Sequence, residues 1–541
     1  MGTTRRTDSG RGRDTPPHLA TRNHKRSLQL FTALLVLALP ASFLVFGSVW
    51  LAGMGLGPAE NRASTMSSAA ETDGPSLAAS PSAAEKAAAE FAAAAAIDVP
   101  DYVPAEPLEV TPGQTVVSLT FDDGFSGAAR AAEILAEFEF QGTFYLNSGL
   151  LGETGSLTVR QAKEMALAGH EIGGHTFSHP DVGTIGVDEA QREICQDRQN
   201  LLDLGFEVTN FAYPFASSAG VTSVVEACGY NSARGLGGTV GPGCEGCPTT
   251  ESLRPAEPQL LKAPSQVEWD WSLADLQNKV QAAEATGGWV ILTFHGLCPY
   301  ECDSIDIDED VFLDFTEWLS SRTAGGTTTV RTVQQVIGGP KNPAVPASVP
   351  APAPPGVNGL QNADLEQWSG DAPTCWGNAS FGSNEATFGK ATGRNGSNGA
   401  GVTMHRLDDG DAKLLPTHDL GACAPSVRAG ERYSLRLWYT SDVPTQFSVY
   451  YRDGFGRWTY WLPSPTLAPS DTFREAEWTT PAVPADATAL SFGLSLTTEG
   501  YVVTDDYGMY RADGAPPLSE AATMLLPGDG DLAGLAAGQT R

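Results

Sequence analysis

Residues 116–124 read VVSLTFDDG. Val116 to Phe121 is a short apolar run of the kind that forms a buried strand. It ends on two adjacent carboxylates, Asp122 and Asp123, followed by Gly124. Two carboxylates side by side at a buried strand end are costly, through mutual repulsion and loss of hydration. Asp-Gly is also a common turn pair, so a plain turn accounts for the residues locally. The chemical alternative is a metal ion that neutralises one carboxylate while the other acts as a base.

Working outward, helical and strand patterns alternate. Ala128 to Phe138 reads as a helix and Thr143 to Leu146 (TFYL) as a strand. Val187 to Leu204 has helical spacing, with Ile194, Leu201 and Leu202 on its apolar side. Trp289 to Phe294 (WVILTF) is a further strand and Val311 to Leu319 a helix. This alternation predicts an α/β region with a mostly parallel sheet or barrel, its chemistry at the C-terminal strand ends.

The histidines cluster in GHEIGGHTFSHP, residues 169–180. The spacing of His175 and His179 predicts two imidazoles on one side of a helical turn, a usual metal-binding arrangement. Structural histidines share this spacing, but with Asp123 the pair makes a His-His-carboxylate set with positions left for water and substrate. His170 reads as a structural residue opening a strand. His295 closes the WVILTF strand. A lone histidine there is more often structural, yet its strand belongs to the same predicted sheet, which makes it a candidate general acid.

Together these segments resemble the NodB-homology domain of carbohydrate esterase family 4, the polysaccharide deacetylases. TFDDG (Thr120 to Gly124), HTFSHP (His175 to Pro180), FAYPF (Phe211 to Phe215) and LTFHG (around His295) follow the order of the family's motifs. The resemblance implies a distorted (β/α) barrel with fewer than eight regular strands. It implies that Asp123, His175 and His179 bind a divalent metal, usually zinc, with Asp122 as general base and His295 as general acid. The Phe215 backbone N–H is then expected to help stabilise the oxyanion of amide hydrolysis. Two departures stand out. The family often has an arginine that orients the base where this chain has Ala212; Arg234, in YNSARG, is a candidate substitute. The fourth motif, an Asp with a Trp, has Asp270 with Trp269 or Trp271 as its candidate, a packed Trp pair being the other reading.

The second region lacks a long helical period. Alternating runs such as RYSLRLWYT (Arg432 to Thr440), QFSVYYRDG (Gln446 to Gly454) and ALSFGLSLTT (Ala489 to Thr498) predict an all-β, jelly-roll-like sandwich. Most of its aromatics are expected in the core. In RWTYW (Arg457 to Trp461), strand alternation puts Trp458 and Tyr460 on one face, available to sugar rings, and Trp461 on the other. NADLEQW and YVVTDDYGMY loosely resemble carbohydrate-binding jelly-roll modules, and Asp505 or Asp506 is a candidate for a structural calcium.

The expected organisation is a basic cytoplasmic segment (1–27), an apolar run (28–57), an Ala/Ser-rich spacer (58–107), the deacetylase domain (108–339), a Pro-rich spacer (340–357), the sandwich (358–512) and a disordered tail (513–541). The apolar run is long enough to span a bilayer, with the basic segment inside; an uncleaved anchor is favoured over a cleaved signal peptide. Both place the remainder outside the cytoplasm, at the cell membrane or secreted. The eight cysteines fit disulfides in an oxidising compartment, Cys375 with Cys423 among them, although Cys244-x-x-Cys247 and Cys298-x-x-x-Cys302 also have metal-ligand spacing. A net charge of −31 argues against nucleic acid as partner. The expected function is metal-dependent removal of N-acetyl groups from an amino sugar polysaccharide. The alternatives are an O-acetyl polysaccharide esterase and a catalytically silent glycan-binding protein.

Overall fold

The spine of the first domain is β1 (Thr115–Phe121), buried at every residue. In the computed structural model, which describes residues 83–101, 113–241, 244–299, 303–519 and 523–525, β1 pairs in parallel along its whole length with β6 (Gly288–Phe294). Its other edge is shared. Thr115 to Val117 pair with the short strand Thr328–Val330, while Thr120 and Phe121 pair with β2 (Thr143–Leu146). Beyond β2 lie β3 (Glu171–Gly174), β4 (Asn210–Ala212) and β5 (Ser232–Arg234), again all parallel, in the order β5-β4-β3-β2-β1-β6. Parallel pairing requires crossovers, which are largely helical: α2 (Ala128–Glu137), α3 (Val159–Leu167), α4 (Val187–Asp203), α5 (Thr222–Ala227) and α6 (Leu273–Thr286), with α7 (Glu309–Thr323) after β6. The result is a distorted, incomplete (β/α) barrel.

Strand periodicity then decides where Asp122 points. Val117, Leu119 and Phe121 pack with Ile134 and Leu135 of α2 and Phe312 and Phe315 of α7. Val116 packs on Trp289 and Ile291 in the other direction, and Ser118 accepts the Trp289 indole N–H at 2.9 Å. Asp122 continues the second phase, inside the barrel.

The second domain is a β-sandwich, as expected. One sheet holds Asn384–Thr392, Asn398–Leu407, Gly500–Arg511, Tyr433–Ser441 and Ser470–Thr479. Opposite lie Trp458–Pro463, Gln446–Arg452 and Ala489–Ser495, with the pair Trp376–Phe381 and Asp411–Pro416 beside them through the Ala412–Leu496 bridge. Between the sheets, Leu435, Leu437, Phe447, Val449, Leu490 and Phe492 form a separate core.

Three expectations need correction. The Ala-rich stretch is no free spacer at its C-terminal end. It forms α1 (Ala83–Ala95), which buries Ala94, rests Phe91 on the first domain's core and is followed by Ile97, whose carbonyl accepts the Lys163 ammonium at 2.7 Å. Phe91→Ala is expected to lower stability by about 1–2 kcal/mol, measured by denaturant unfolding. The Pro-rich segment is extended but does not hold the domains apart. Arg198 of α4 donates to the carbonyls of Asn342 (2.7 Å) and Pro343 (3.0 Å), and Arg192 donates to Ser348 (3.0 Å). Buried guanidiniums need acceptors, and a helix-free proline segment offers unpaired carbonyls. In the tail, the backbone of Thr523–Leu525 pairs in parallel with Ala476 to Trp478. The basic segment and the apolar run 28–57 lie outside the described residues; among those described, no helix is long and apolar enough to cross a membrane.

All described cysteines are oxidised. Cys195–Cys228, Cys244–Cys247 and Cys375–Cys423 are disulfides, and Cys298 is also disulfide-bonded. The metal-ligand reading of the cysteine spacings is therefore replaced by the disulfide one.

Candidate metal centre

Four parallel strands deliver the site. Asp122 and Asp123 follow β1, His175 follows β3, Arg234 ends β5 and His295 follows β6. Asp123 Oδ1 lies 3.1 Å from His175 Nε2 and 3.0 Å from His179 Nε2. One ligand atom from each of the three lies within 4.8 Å of the others. The histidines are not on a helical turn, as their spacing suggested. His175 is the first residue past a strand, and the loop turns through Thr176 (φ 73°) and His179 (φ 63°) to bring the second imidazole back. Asp123 is likewise left-handed, at φ 67°. Such backbone costs roughly 1–3 kcal/mol per residue and persists where surrounding structure enforces it.

The donor set fits a divalent metal. His175 Nδ1 lies 2.8 Å from the Ala212 carbonyl. A carbonyl can only accept, so Nδ1 carries the proton and Nε2 presents its lone pair toward Asp123 and His179. When both imidazoles are instead protonated, burial, the largest influence, still raises the Asp123 carboxyl, but the hydrogen bonds and charges of His175 and His179 outweigh it and hold it well below the ordinary range. A hard carboxylate oxygen and two imidazole nitrogens suit zinc with positions left open.

Asp122 is held differently. Arg234 Nη2 donates to Oδ1 at 2.6 Å and also contacts Oδ2. Arg234 is fully buried and its guanidinium lies over the Tyr145 ring, 5.4 Å from the centroid. Arg234 is the register partner of Ala212 across β4 and β5. Where the resemblance led one to expect an arginine at Ala212, a guanidinium stands instead on the adjacent strand, at the same level of the barrel. Ala212 keeps a role through its carbonyl.

His295 Nε2 lies 4.0 Å from Asp123 Oδ2, and its Nδ1 is buried without a hydrogen-bond partner. Burial is the largest influence on His295 and moves its pKa down despite Asp122 and Asp123. The carboxylate beside it is Asp306, which accepts the Gly296 N–H and is itself raised, first by burial and then by Asp303. Asp270 lies exposed in the turn after Val267, Trp269 is 61% exposed and Trp271 packs on the core. The Trp pair is therefore split rather than packed together. Phe215 has left-handed backbone (φ 54°), and its ring, 67% exposed, lies 4.7 Å from that of His179.

Sequence reasoning missed two acids of α4 that hold the histidine loop. Asp197 accepts the N–H of His175 at 3.0 Å and of Ser148 at 2.8 Å, and burial pushes its pKa up to about 8. Glu193 accepts the Ser178 N–H (2.9 Å) and hydroxyl (2.7 Å), and burial pushes it to about 7. The i, i+4 spacing of these acids is also that of an ordinary solvated helix face, so nothing singled them out.

Residues 109–233 match the family model described as polysaccharide deacetylase. Over these residues the chain is similar to the polysaccharide deacetylases. A curated relative, the peptidoglycan-N-acetylglucosamine deacetylase of Bacillus cereus, is 32% identical over 100 residues, 18% of this chain and 35% of that one. The first curated relatives are covered over 20% to 38% of their length. Among solved structures, the peptidoglycan deacetylase PdaC of Bacillus subtilis matches 42% of the chain and 92% of its own, at 17% identity and TM-score 0.26. A family 11 carbohydrate-binding module from a Clostridium thermocellum cellulase matches 30% of the chain and 97% of its own, at 13% identity and TM-score 0.21.

In the sandwich, Trp458 stacks on His418 at 4.5 Å and Tyr450 meets Tyr460 at 5.4 Å, while Trp461 packs toward the core. The alternation read from RWTYW holds. Asp505 is buried, and its carboxylate accepts the Arg394 N–H, the Ser397 hydroxyl and the Asp506 N–H at 2.7–2.8 Å. These protein donors satisfy the Asp505 carboxylate, and among the described residues the only group of three or more clustered His, Cys, Asp or Glu side chains is Asp123, His175 and His179.

Proposed function

We propose that this protein is a zinc-dependent deacetylase that removes N-acetyl groups from an extracytoplasmic amino sugar polysaccharide and releases acetate. The observation that carries the reading is the division of the carboxylate pair. Asp123 faces two imidazoles, and Asp122, the adjacent residue, faces a buried guanidinium. One carboxylate is set for a metal and the other kept free of it.

Asp123, His175 and His179 would hold the ion, which when bound would polarise the acetyl carbonyl and lower the pKa of water. Asp122 takes the proton of the attacking water, and Arg234 keeps its carboxylate turned into the barrel. His295 gives a proton to the departing sugar nitrogen, and burial makes its imidazolium a readier donor. The Phe215 N–H, on the loop beside His179, is the backbone donor for the developing oxyanion. In the second domain, His418, Tyr450, Trp458 and Tyr460 present stacked aromatic faces suited to sugar rings. Disulfides support an oxidising, extracytoplasmic setting, as does the N-terminal basic and apolar pattern.

The test is acetate release by the purified protein from chito-oligosaccharides, peptidoglycan, poly-N-acetylglucosamine and acetylated xylan, with chelator and with zinc restored. Release from an amino sugar polymer, lost with chelator and regained with zinc, is expected. Preference for xylan would instead make it an ester hydrolase, and zinc binding without release from any polymer would favour a silent binding protein.

A further inference from the structure

Phe177 sits between the two metal-site histidines in sequence, and its ring is clasped by both domains. On the first-domain side, a Cβ added to Gly149 would stand 2.7 Å from Phe177 Cζ. On the other side is Gly456 of the sandwich, where an added Cβ would stand 3.0 Å from Phe177 Cε2 and 3.2 Å from Leu420 Cδ2. Phe177 is only 8% exposed. Its backbone is held by the first domain, the N–H donating to Glu193 O at 3.1 Å and the carbonyl accepting the Gly149 N–H at 3.0 Å.

The turn that carries Gly456 is itself fixed to the first domain. Asp453 N donates to Arg457 O (2.9 Å) and Gly456 N to Asp453 O (3.2 Å), closing the turn. The Phe455 carbonyl accepts the Asn200 side-chain amide of α4 at 2.8 Å. The Phe455 ring meets Phe91 of α1 edge-on at 5.9 Å, and Arg457 lies 4.8 Å over Phe91. Leu420 N donates to Glu189 of α4 at 2.7 Å. A second-domain turn with this many anchors is a rigid wall, and the side chain it meets belongs to the loop that must hold two left-handed residues, Thr176 and His179.

We propose that the sandwich is a positioning part of the metal centre: the Gly456 turn, flanked by Leu420, closes on Phe177 and thereby holds His175 and His179 in coordinating geometry. The proposal rests on the zinc reading of Asp123, His175 and His179. Groups that orient metal ligands contribute about ten- to a hundredfold in affinity, and a close-packed ring passes strain to its neighbours rather than absorbing it.

Gly456→Ala, in the full chain, tests this. Its Cβ would crowd the Phe177 ring and Leu420 at 3.0–3.2 Å, so these side chains or the turn must give way slightly. Gly430→Ala is the control: Gly430 is in the same domain, has φ +77° against +103° for Gly456, and has nothing within 4 Å of an added Cβ, so it brings left-handed strain without the contact. Leu420→Ala removes the side chain that flanks Gly456 and so loosens the turn with no backbone strain, and decides the matter if Gly456→Ala does not fold. Zinc affinity is read by chelator competition, with the visible spectrum of the cobalt-substituted protein reporting ligand geometry. Gly456→Ala and Leu420→Ala are expected to weaken zinc by about tenfold or more and to alter the cobalt spectrum, while Gly430→Ala does neither. Unchanged zinc affinity in folded Gly456→Ala and Leu420→Ala overturns the proposal, as does an equal loss in Gly430→Ala. If the parent protein binds no zinc, the metal-site reading itself falls, and the coupling with it.

Discussion

Arg234→Ala is expected to lower kcat/KM for deacetylation by about a hundredfold or more, the range for losing a positioned general base. The reason is geometric. Asp122 is buried, and its carboxylate faces the Arg234 guanidinium, itself fully buried. Removing the guanidinium leaves an unpaired carboxylate inside the barrel. Breaking such a pair costs on the order of 3–5 kcal/mol of stability, and Asp122 loses the guanidinium that keeps its carboxylate turned into the barrel. Arg234→Lys keeps the charge but not the planar fork, so recovery should be partial. The register match of Ala212 with Arg234 suggests a sharper experiment. Ala212→Arg in the Arg234→Ala background moves the guanidinium one strand across and should recover part of the lost activity. Zinc affinity should stay within a few-fold of the parent in Arg234→Ala, because Arg234 touches no proposed metal ligand. Normal kcat/KM in a folded Arg234→Ala protein would remove Asp122 as the base.

The second large effect separates the two carboxylates. Asp123→Ala is expected to weaken zinc at least a hundredfold, beyond the ten- to hundredfold typical of supporting groups, and to abolish acetate release. Asp122→Asn should bind zinc nearly as the parent does while also losing activity. The expectation follows from partners: Asp123 Oδ1 stands about 3 Å from both imidazole Nε2 atoms, whereas Asp122 turns to Arg234. Chelator competition and acetate release on the same preparations give the answer. Equal zinc loss in both variants would show that the pair acts as one ligand group and would end the division of roles.

Both predictions concern residues that were legible to different degrees. Asp123, His175, His179 and His295 could be picked out because their chemistry sits at strand ends and recurs in a known order of motifs. The α/β and all-β halves were also plain, since a buried parallel strand and an alternating sandwich strand leave different periods in the chain. The placing of Trp458 and Tyr460 on one face with Trp461 turned inward followed from that same period of two. Arg234 was legible only as a candidate. Its bond to Asp122 depends on which strands become neighbours, and the two residues are 112 positions apart.

What the sequence by itself determined, then, is the set of local patterns: strands, helices, turn chemistry and the identity of the candidate metal donors. Tertiary structure decided everything that rests on register and on contact between distant segments. It set the histidines on a left-handed loop rather than a helical turn, because Glu193 and Asp197 of α4 grip that loop from outside it. It turned the proline segment from a spacer into a strap, because Arg192 and Arg198 require carbonyl acceptors once buried. It also brought Gly456 of the second domain against Phe177 of the first. Periodicity is a property of neighbours along the chain, whereas these contacts are selected by the packing of whole surfaces, and no window of sequence contains them.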